Sequence, residues 1–576
     1  MQNKILSILK LAIKEKYSKN LNLEDLNIEI ESNFLDKKDF GDFSTNIAFK
    51  LAGILKNNPK LIAHDLKETI LKQNHKNFFE KIEVAGSGFL NFWINKDEFL
   101  LEFNKILKNK NFGKQKFKNK KIIFEYSDPN IAKKMHVGHL RGTIIGDALA
   151  NIYEFLGYKV IRWNYLGDWG TQFGYLIAAY KLWGNKTELE KNPINTMLKL
   201  YIRFHHAMKK NPELKKMGQE EFRLLELKNK ENLKLWSWFR RESILEFKKI
   251  YKLLNVKFDI WIGESFYEKD ISKIINLLLN LKIAQKNEGA IIVPLEKFNL
   301  PPALILKSDE ASLYLTRDIA NLIFRFKKFK PDKIVYVVGN EQTLHFNQLF
   351  AIAQLLNLDS SKLIHLKYGL VLGENKKKLK TREGNLIFLE DVLNKAIKLA
   401  FKIVNKNKNL TNKQKEKIAQ IVGIGAIKYN DLKEHRRNNI VFDWSKMIDL
   451  RGQSAPYIQY SYARIQSILK KSKIKLSELN KVKIKNLNSE LEINLIKKIL
   501  IFPEILNLSA KNYLTSYLAN YLYELAILLN KFYETTKILK EKENKIKLER
   551  LKLIHFVSFI LKTGLNLLGI EVVDKM

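Results

Sequence analysis

The feature that most constrains this chain is a change of hydrophobic period at Lys121. From there, short runs of β-branched and aromatic residues alternate with long segments of helical spacing: IIFEY at 122–126, KVIRWNYL at 159–166 and KIVYVVG at 333–339. Strands separated by helices return by crossover rather than by tight turn, so the pattern predicts a parallel α/β sheet. Residues from about 185 to 255 are helical in period and densely charged, and read as an insertion between the two halves of that sheet. Ahead of it, residues 1–112 combine helical spacing at Ile5, Leu6, Leu9, Leu11 and Ile13 with a strand-like run at 89–94 that follows Gly86, Ser87 and Gly88, the pattern of a small α+β domain. The lysine-rich stretch 105–121 reads as a linker. Beyond about residue 390 helical period dominates and no strand stands out. Three parts are therefore expected: 1–112, 113–390 and 391–576, the last with its core at about 456–576.

Composition narrows the partners. Lys and Arg number 101 against 61 Asp and Glu, a formal net charge of +40. A polyanionic partner is one reading; a Lys-, Asn- and Ile-rich chain whose lysines are simply solvated is the other. There is no cysteine, which excludes disulfides, thiolate nucleophiles and zinc held by thiolates, and suits a reducing cytoplasm. The N-terminus, MQNKILSILKLAIKEKYSK, mixes charges with apolar residues and lacks the uninterrupted apolar core of a secretory signal. The most apolar long stretch, 513–530, is interrupted by Asn520 and Glu524 and falls short of the roughly 18 clean apolar residues of a membrane span. It reads as a buried helix.

Two motifs carry chemistry. EYSDPNIAKKMHVGHLRGTIIGDALA leaves a strand, turns at Pro129 and enters an amphipathic helix near Gly138. A helix start offers free N–H groups and the positive end of the dipole, a phosphate site. His136 and His139, three apart, share one face there, and Gly138 lets a nucleotide approach closely. Two histidines that merely cap a helix would look the same. The second motif, VLGENKKKLKTREGN, places Lys376, Lys377, Lys378 and Lys380 ahead of Arg382 and Gly384. Clustered cations on a glycine-containing loop can neutralise a departing pyrophosphate, although a lysine run is usually only solvated.

Together the two motifs resemble the HIGH and KMSKS signatures of class I aminoacyl-tRNA synthetases, in the family's order. Thr381 stands where the second catalytic lysine usually sits, a departure familiar from arginyl-tRNA synthetases, in which a lysine just upstream of HIGH compensates; here that place is held by Lys133. NIAKKMHVGHLRGTIIGDALA, IRWNYLGDWGTQFG, YLTRDIAN, KYNDLKEHRRNNIVFDW and LNLLGIEVVDKM all resemble that family, across nearly the whole chain. Gly142 departs from the serine common after HIGHLR. The resemblance implies a Rossmann-like catalytic domain between an N-terminal α+β appended domain and an all-helical anticodon-binding domain. It implies ATP as substrate with Mg2+ accompanying it and no zinc, arginine and its tRNA as partners, a cytoplasmic monomer with no membrane association, and activation that requires bound tRNA.

It also implies residue roles. His136, Gly138, His139 and Lys378 would bind ATP, with Lys133 joining the two histidines and Lys378 in catalysis. Tyr314, Asp318 and Glu264 would receive the guanidinium, and Asn130 and Gln342 the α-amino group. An arginine pocket must offer acidic partners to a planar cation with five donors; Tyr314 and Asp318, four apart, lie on one face of a helix, although a pairing of Asp318 with Arg317 would explain them too. For tRNA, the family's segments fall on Asp42, Phe43, Asn46, Phe89 and Asn91 at the elbow and on Tyr457, Gln459, Tyr460 and Arg464 at the anticodon. Aromatics there can stack on splayed bases or simply pack a core. A small-molecule nucleotidyltransferase shares the His-x-Gly-His helix start, and a non-catalytic RNA-binding paralogue would share the basic charge; the first has little use for a large helical appendage, and the second need not keep both histidines.

Overall fold

The structure, a computed structural model, describes residues 1–17, 26–33, 40–73, 77–109, 111–308, 314–373 and 387–576. Its centre is a sheet of five parallel strands, β1 (Lys121–Tyr126), β2 (Lys159–Leu166), β3 (Ile260–Gly263), β4 (Lys333–Val337) and β5 (Leu363–His365). They are hydrogen-bonded in the order β5-β4-β1-β2-β3, with Ile123 of β1 registered between Ile161 and Ile334. Strand β1 is buried on both faces, which is why its sequence reads as a continuous apolar run rather than an alternation. The short strands β3 and β5 lie at the sheet's edges and had not stood out in the sequence.

The chain works outward from β1 to β3 and then crosses to β4 on the other side of β1, so the strand order reverses between β1 and β4. In open α/β sheets the crevice beyond the carboxyl ends at such a reversal is where ligands bind. Three helices frame it: α1 (Gly138–Phe155) after β1, α2 (Tyr314–Phe329) before β4, and α3 (Thr343–Leu355) after β4. Between β2 and β3 lie the helices Lys186–Lys191, Pro193–Lys210, Glu213–Glu226 and Lys230–Leu253.

Near the N-terminus, the helix Gln2–Tyr17 buries Ile5, Ile8, Leu9, Ala12 and Ile13, while Leu11 is exposed. It accompanies a four-stranded antiparallel sheet in which Phe89–Ile94 lies between Phe43–Thr45 and Phe79–Ala85. Toward the C-terminus come α4 (Asn412–Leu432), α5 (Ala455–Ser472), α6 (Ser516–Thr535) and α7 (Asn544–Leu567). The apolar stretch 513–530 falls largely in α6, whose Leu518, Leu522, Leu525 and Leu529 are buried. No helix among the described residues is long and apolar enough to cross a membrane. One expectation needs correcting: a strand does occur after residue 390, because Ile440–Val441 pairs in parallel with Val371–Leu372. Two residues are too short for any period to register.

Buried polar ties join α1, and the residue that follows the helix Lys230–Leu253, to α4. Arg141 donates from Nε to both carboxylate oxygens of Asp431, at 3.2 and 2.9 Å, and from Nη1 to the Asn438 carbonyl at 2.7 Å. Lys428, fully buried, donates to the carbonyls of Leu254 and Gly569, both at 2.8 Å, and burial pushes its ammonium down to about 8. On α1 itself, a Cβ at Gly142 would lie 2.9 Å from the Tyr368 hydroxyl, so that tyrosine fills the space a serine side chain would need.

Candidate active site

Between β1 and α1 the backbone is forced through an unusual path. Ser127, Asp128 and Ala132 all have positive φ, at 81°, 45° and 61°. Such conformations cost on the order of 1–3 kcal/mol each and persist only where the surroundings impose them. Here they do. Thr143 Oγ1 donates to Ser127 Oγ at 2.8 Å, the Tyr165 amide donates to Asp128 Oδ1 at 2.9 Å, and the Ala132 amide donates to Ser243 Oγ at 2.9 Å. Asn130 bridges to Gly167, where a Cβ would fall 2.1 Å from Asn130 Oδ1; only glycine admits that approach.

The path ends at His136 and His139, whose ring centroids are 4.0 Å apart. The Gly138 amide donates to His136 Nδ1 and the His136 amide donates to His139 Nδ1, each at 3.1 Å. His136 Nδ1 thus acts as an acceptor, which assigns its proton to Nε2, whereas His139 Nδ1 also lies 3.3 Å from the His136 carbonyl and can accept or donate according to its tautomer. Burial lowers both imidazoles, His139 to about 3 with further repulsion from His136, and His136 with further repulsion from Lys133. At neutral pH the helix start therefore presents two uncharged imidazoles, each with one N–H to donate. Lys133 stands beside them with its Nζ 5.2 Å from the ring centre of Tyr201, its own ammonium lowered by burial.

The lysine-rich segment that contains Lys378 lies outside the described residues. Its flanks do not. The Val137 amide donates to the Ile387 carbonyl at 3.0 Å and the Leu389 amide to the Met135 carbonyl at 2.9 Å, so the chain leaving that segment is bonded to the histidine turn.

Across the crevice, acidic groups crowd together. Glu264, just after β3, is 6% exposed, and burial with repulsion from Asp318, Asp168 and Glu268 pushes its carboxyl well above the usual range against the pull of Arg317. Its Oε2 accepts no hydrogen bond among the described residues, and Arg317 Nη1 is 3.7 Å away. Asp128 and Glu125 are raised as well, by burial first, then Asp128 by Glu125 and Asp318 and Glu125 by Asp318; Glu125 keeps a buried ion pair with Arg325. The Tyr165 hydroxyl, facing Asp318 and Glu264, is buried with no hydrogen-bond partner among the described residues. Asp318 pairs with His345 Nε2 at 2.6 Å, not with Arg317, whose Nε is taken by Glu268. Tyr314 opens α2 half-exposed, and its hydroxyl is raised by burial and by Glu264. Tyr201, the ring 5.2 Å from Lys133 Nζ, has its hydroxyl raised by burial and then by Tyr175 and Tyr314, so the start of α2 approaches the ring beneath Lys133. Asn130 and Gln342 are exposed just past the carboxyl ends of the adjacent strands β1 and β4. Neutral phosphate-facing donors beside a recess lined with strained carboxylates suit a nucleotide and a cationic small molecule held together.

Comparison with known proteins agrees. Residues 102–444 match the family described as tRNA synthetases class I (R), catalytic domain. The chain belongs to the arginyl-tRNA synthetase family. Residues 3–94 match the arginyl tRNA synthetase N terminal domain and 458–576 the DALR anticodon binding domain. The arginine–tRNA ligase of Halothermothrix orenii is 42% identical over 96% of this chain and 97% of its own length, and that of Clostridium perfringens is 40% identical over 98% and 100%. Among solved structures, the arginyl-tRNA synthetase of Plasmodium falciparum superposes with a TM-score of 0.82 at 27% identity, covering 100% of this chain and 99% of that one.

For a synthetase of this family the residues expected at the tRNA separate into two groups. Asp42 is buried, accepts from the Ile94 amide at 2.8 Å and pairs with Lys497; Phe43 and Asn91 are buried in neighbouring strands. Gln459 is fully buried and donates to the Glu571 carbonyl at 2.7 Å. In this conformation these four hold the surfaces from beneath rather than present atoms to a partner. Phe89 is exposed with its edge against Phe49, and Asn46, which precedes the helix Ile47–Leu55, is partly exposed. Tyr457 packs edge-on to Tyr523. The Arg464 guanidinium lies 4.9 Å from the rings of both Tyr460 and Tyr533 and donates to Asn530 at 2.9 Å. Sequence reasoning missed Tyr533, on another helix, and Tyr165. It also missed His345, although that residue is three beyond Gln342 in the same motif.

Proposed function

We propose that the chain activates L-arginine with ATP and transfers it to the tRNA that decodes arginine, for use in translation. The arginine carboxylate attacks the α-phosphorus, the bond to the β-phosphate oxygen breaks, and pyrophosphate leaves. A hydroxyl of the tRNA's terminal adenosine, the 2′ in class I enzymes, then attacks the arginyl carbonyl and AMP leaves. No covalent enzyme intermediate is needed, so catalysis rests on positioning and charge stabilisation.

The roles follow from the chemistry of each group. His136 and His139, neutral donors at the start of α1, stabilise charge on the α-phosphoryl oxygens, with Gly138 giving room. Lys133 and Lys378 follow the outer phosphates, and Mg2+ travels with the triphosphate as part of the substrate. Glu264, Asp318 and Tyr314 take the guanidinium; Asn130 and Gln342 take the α-amino group. No residue is assigned to zinc. Phe89 and Asn46, supported by Asp42, Phe43 and Asn91, face the tRNA elbow within residues 1–112. Tyr457, Tyr460 and Arg464, supported by Gln459, face the anticodon within residues 391–576, and residues 113–390 do the chemistry. The enzyme works as a cytoplasmic monomer, and tRNA is required for adenylate formation.

The observation that carries this reading is the buried cluster of carboxylates, with Glu264 Oε2 accepting no hydrogen bond among the described residues, beside the two neutral histidines. Aminoacylation of total tRNA with each of the twenty amino acids tests it: arginine alone is expected to be charged. Charging of lysine instead, or ATP–pyrophosphate exchange driven by a different acid with tRNA present, would overturn it.

A further inference from the structure

The side chain that closes the acidic recess is His345. It projects from the first turn of α3 and bonds through Nε2 to one oxygen of Asp318, Oδ2, at 2.6 Å. Among the described residues no hydrogen bond is made to the other oxygen, Oδ1. Asp318 has no such bond to Arg317, the neighbour on its own helix, because Arg317 is committed to Glu268 and lies against Glu264. Among the described residues, the hydrogen bond that restrains the rotation of the Asp318 carboxylate therefore comes from α3, the helix that begins next to Gln342. A carboxylate on a helix surface rotates freely about its last torsion, and a second group that fixes that torsion sharpens recognition of a planar, forked donor.

We propose that His345 is a positioning residue for arginine: it holds Asp318 with Oδ2 engaged and Oδ1 presented to the incoming guanidinium. The inference rests on Asp318 being a guanidinium ligand. It also gives the recess a titrating element. His345 is held above the usual imidazole range by its bond to Asp318 and by the charges of Asp318 on α2 and Glu125 on β1, against the opposing effect of burial. Other ionisable groups that face this corner are Arg325 on α2, paired with Glu125; Glu264 and Asp128, whose carboxyls are raised; Tyr165, Tyr267 and Tyr336, whose hydroxyls are raised by burial and by Asp318; and His365 on β5, which burial lowers to about 4. A protonated His345 and a guanidinium share one carboxylate. Arginine therefore binds more weakly with His345 charged, and its affinity rises as pH increases through the titration of this histidine, after which the neutral ring still donates from Nε2.

The test compares three variants of the full-length enzyme in tRNA aminoacylation across pH. His345→Leu removes the donor and is expected to raise KM for arginine roughly 10- to 100-fold, the range for losing a hydrogen bond to a charged group, with kcat and KM for ATP within about threefold. His345→Gln keeps an N–H donor without a titrating ring; it is expected to recover most of that loss and to flatten the pH dependence of KM for arginine. An unchanged KM for arginine in His345→Leu, no recovery in His345→Gln, or an equal rise in KM for ATP would each overturn the positioning role. Asp318→Asn separates the two readings. If it raises KM for arginine while His345→Leu does not, only this inference fails; if Asp318→Asn leaves arginine untouched, the pocket assignment itself fails.

Discussion

Glu264→Gln is expected to move stability and substrate affinity in opposite directions. Among the described residues Oε2 of Glu264 is buried without a hydrogen bond, near Asp318, Asp168 and Glu268, and Arg317 Nη1 is 3.7 Å away while its Nε is paired with Glu268. A buried acceptor without a partner costs about 1–3 kcal/mol. The amide of glutamine removes the charge and supplies an N–H that the surrounding carboxylates can accept, so the ligand-free variant should gain on the order of 1 kcal/mol, after allowing for the lost attraction to Arg317. The sign follows from linkage. The folded-state carboxyl is raised above its unfolded value, so the folded protein binds more protons and loses stability as pH rises through the interval between the two; glutamine abolishes that loss. Arginine binding should suffer instead. Replacing an ionised acceptor by a neutral one for a guanidinium removes about 1.5–3 kcal/mol, an increase of roughly 10- to 100-fold in KM for arginine. Thermal denaturation without ligand at pH 7 to 8, together with steady-state aminoacylation, reads both quantities. A variant that melts lower and binds arginine normally would refute the idea that this carboxylate is kept strained for the substrate.

Three further outcomes are expected. His139→Ala should reduce kcat for arginine-dependent ATP–pyrophosphate exchange by about 100-fold or more while leaving the Kd for tRNA unchanged, and by NMR His139 should stay neutral down to about pH 5, since its imidazole is lowered to about 3. Asp431→Ala, which strands the fully buried Arg141 guanidinium, should destabilise the protein by about 3–5 kcal/mol in urea unfolding, and adding Arg141→Met should restore much of that loss; strict additivity would show that the buried pair is not coupled. Tyr460→Ala should raise KM for tRNA about tenfold through lost stacking, with KM for arginine unmoved, and binding of tRNA by the unmodified enzyme should weaken steeply between about 50 and 200 mM salt.

Much of this was legible in the sequence because it depends on local chemistry. The periods of β1, β2 and β4, the helices between β2 and β3, the helix that begins at Gly138 and the buried helix α6 all follow from residues close in the chain. So did the membership of His136 and His139 in one helix start. The edge strands β3 and β5 and the pairing of Ile440–Val441 with Val371–Leu372 were not legible, because two to four residues hold no period and their partners come from distant segments.

Partner choice was decided only by the tertiary structure. Spacing along α2 allows Asp318 to meet Arg317 or a ligand; the packing of α3 supplies His345, 27 residues away, and that of the segment after β3 draws Arg317 to Glu264 and Glu268. Likewise GDFSTN and GFLNF do not say which side chains point out. Strand pairing turns Asp42, Phe43 and Asn91 inward and leaves Phe89 at the surface. Amino-acid order fixes which groups exist and which neighbours share a helix face, whereas burial, desolvation and ion pairing are set by long-range contacts that no local pattern encodes.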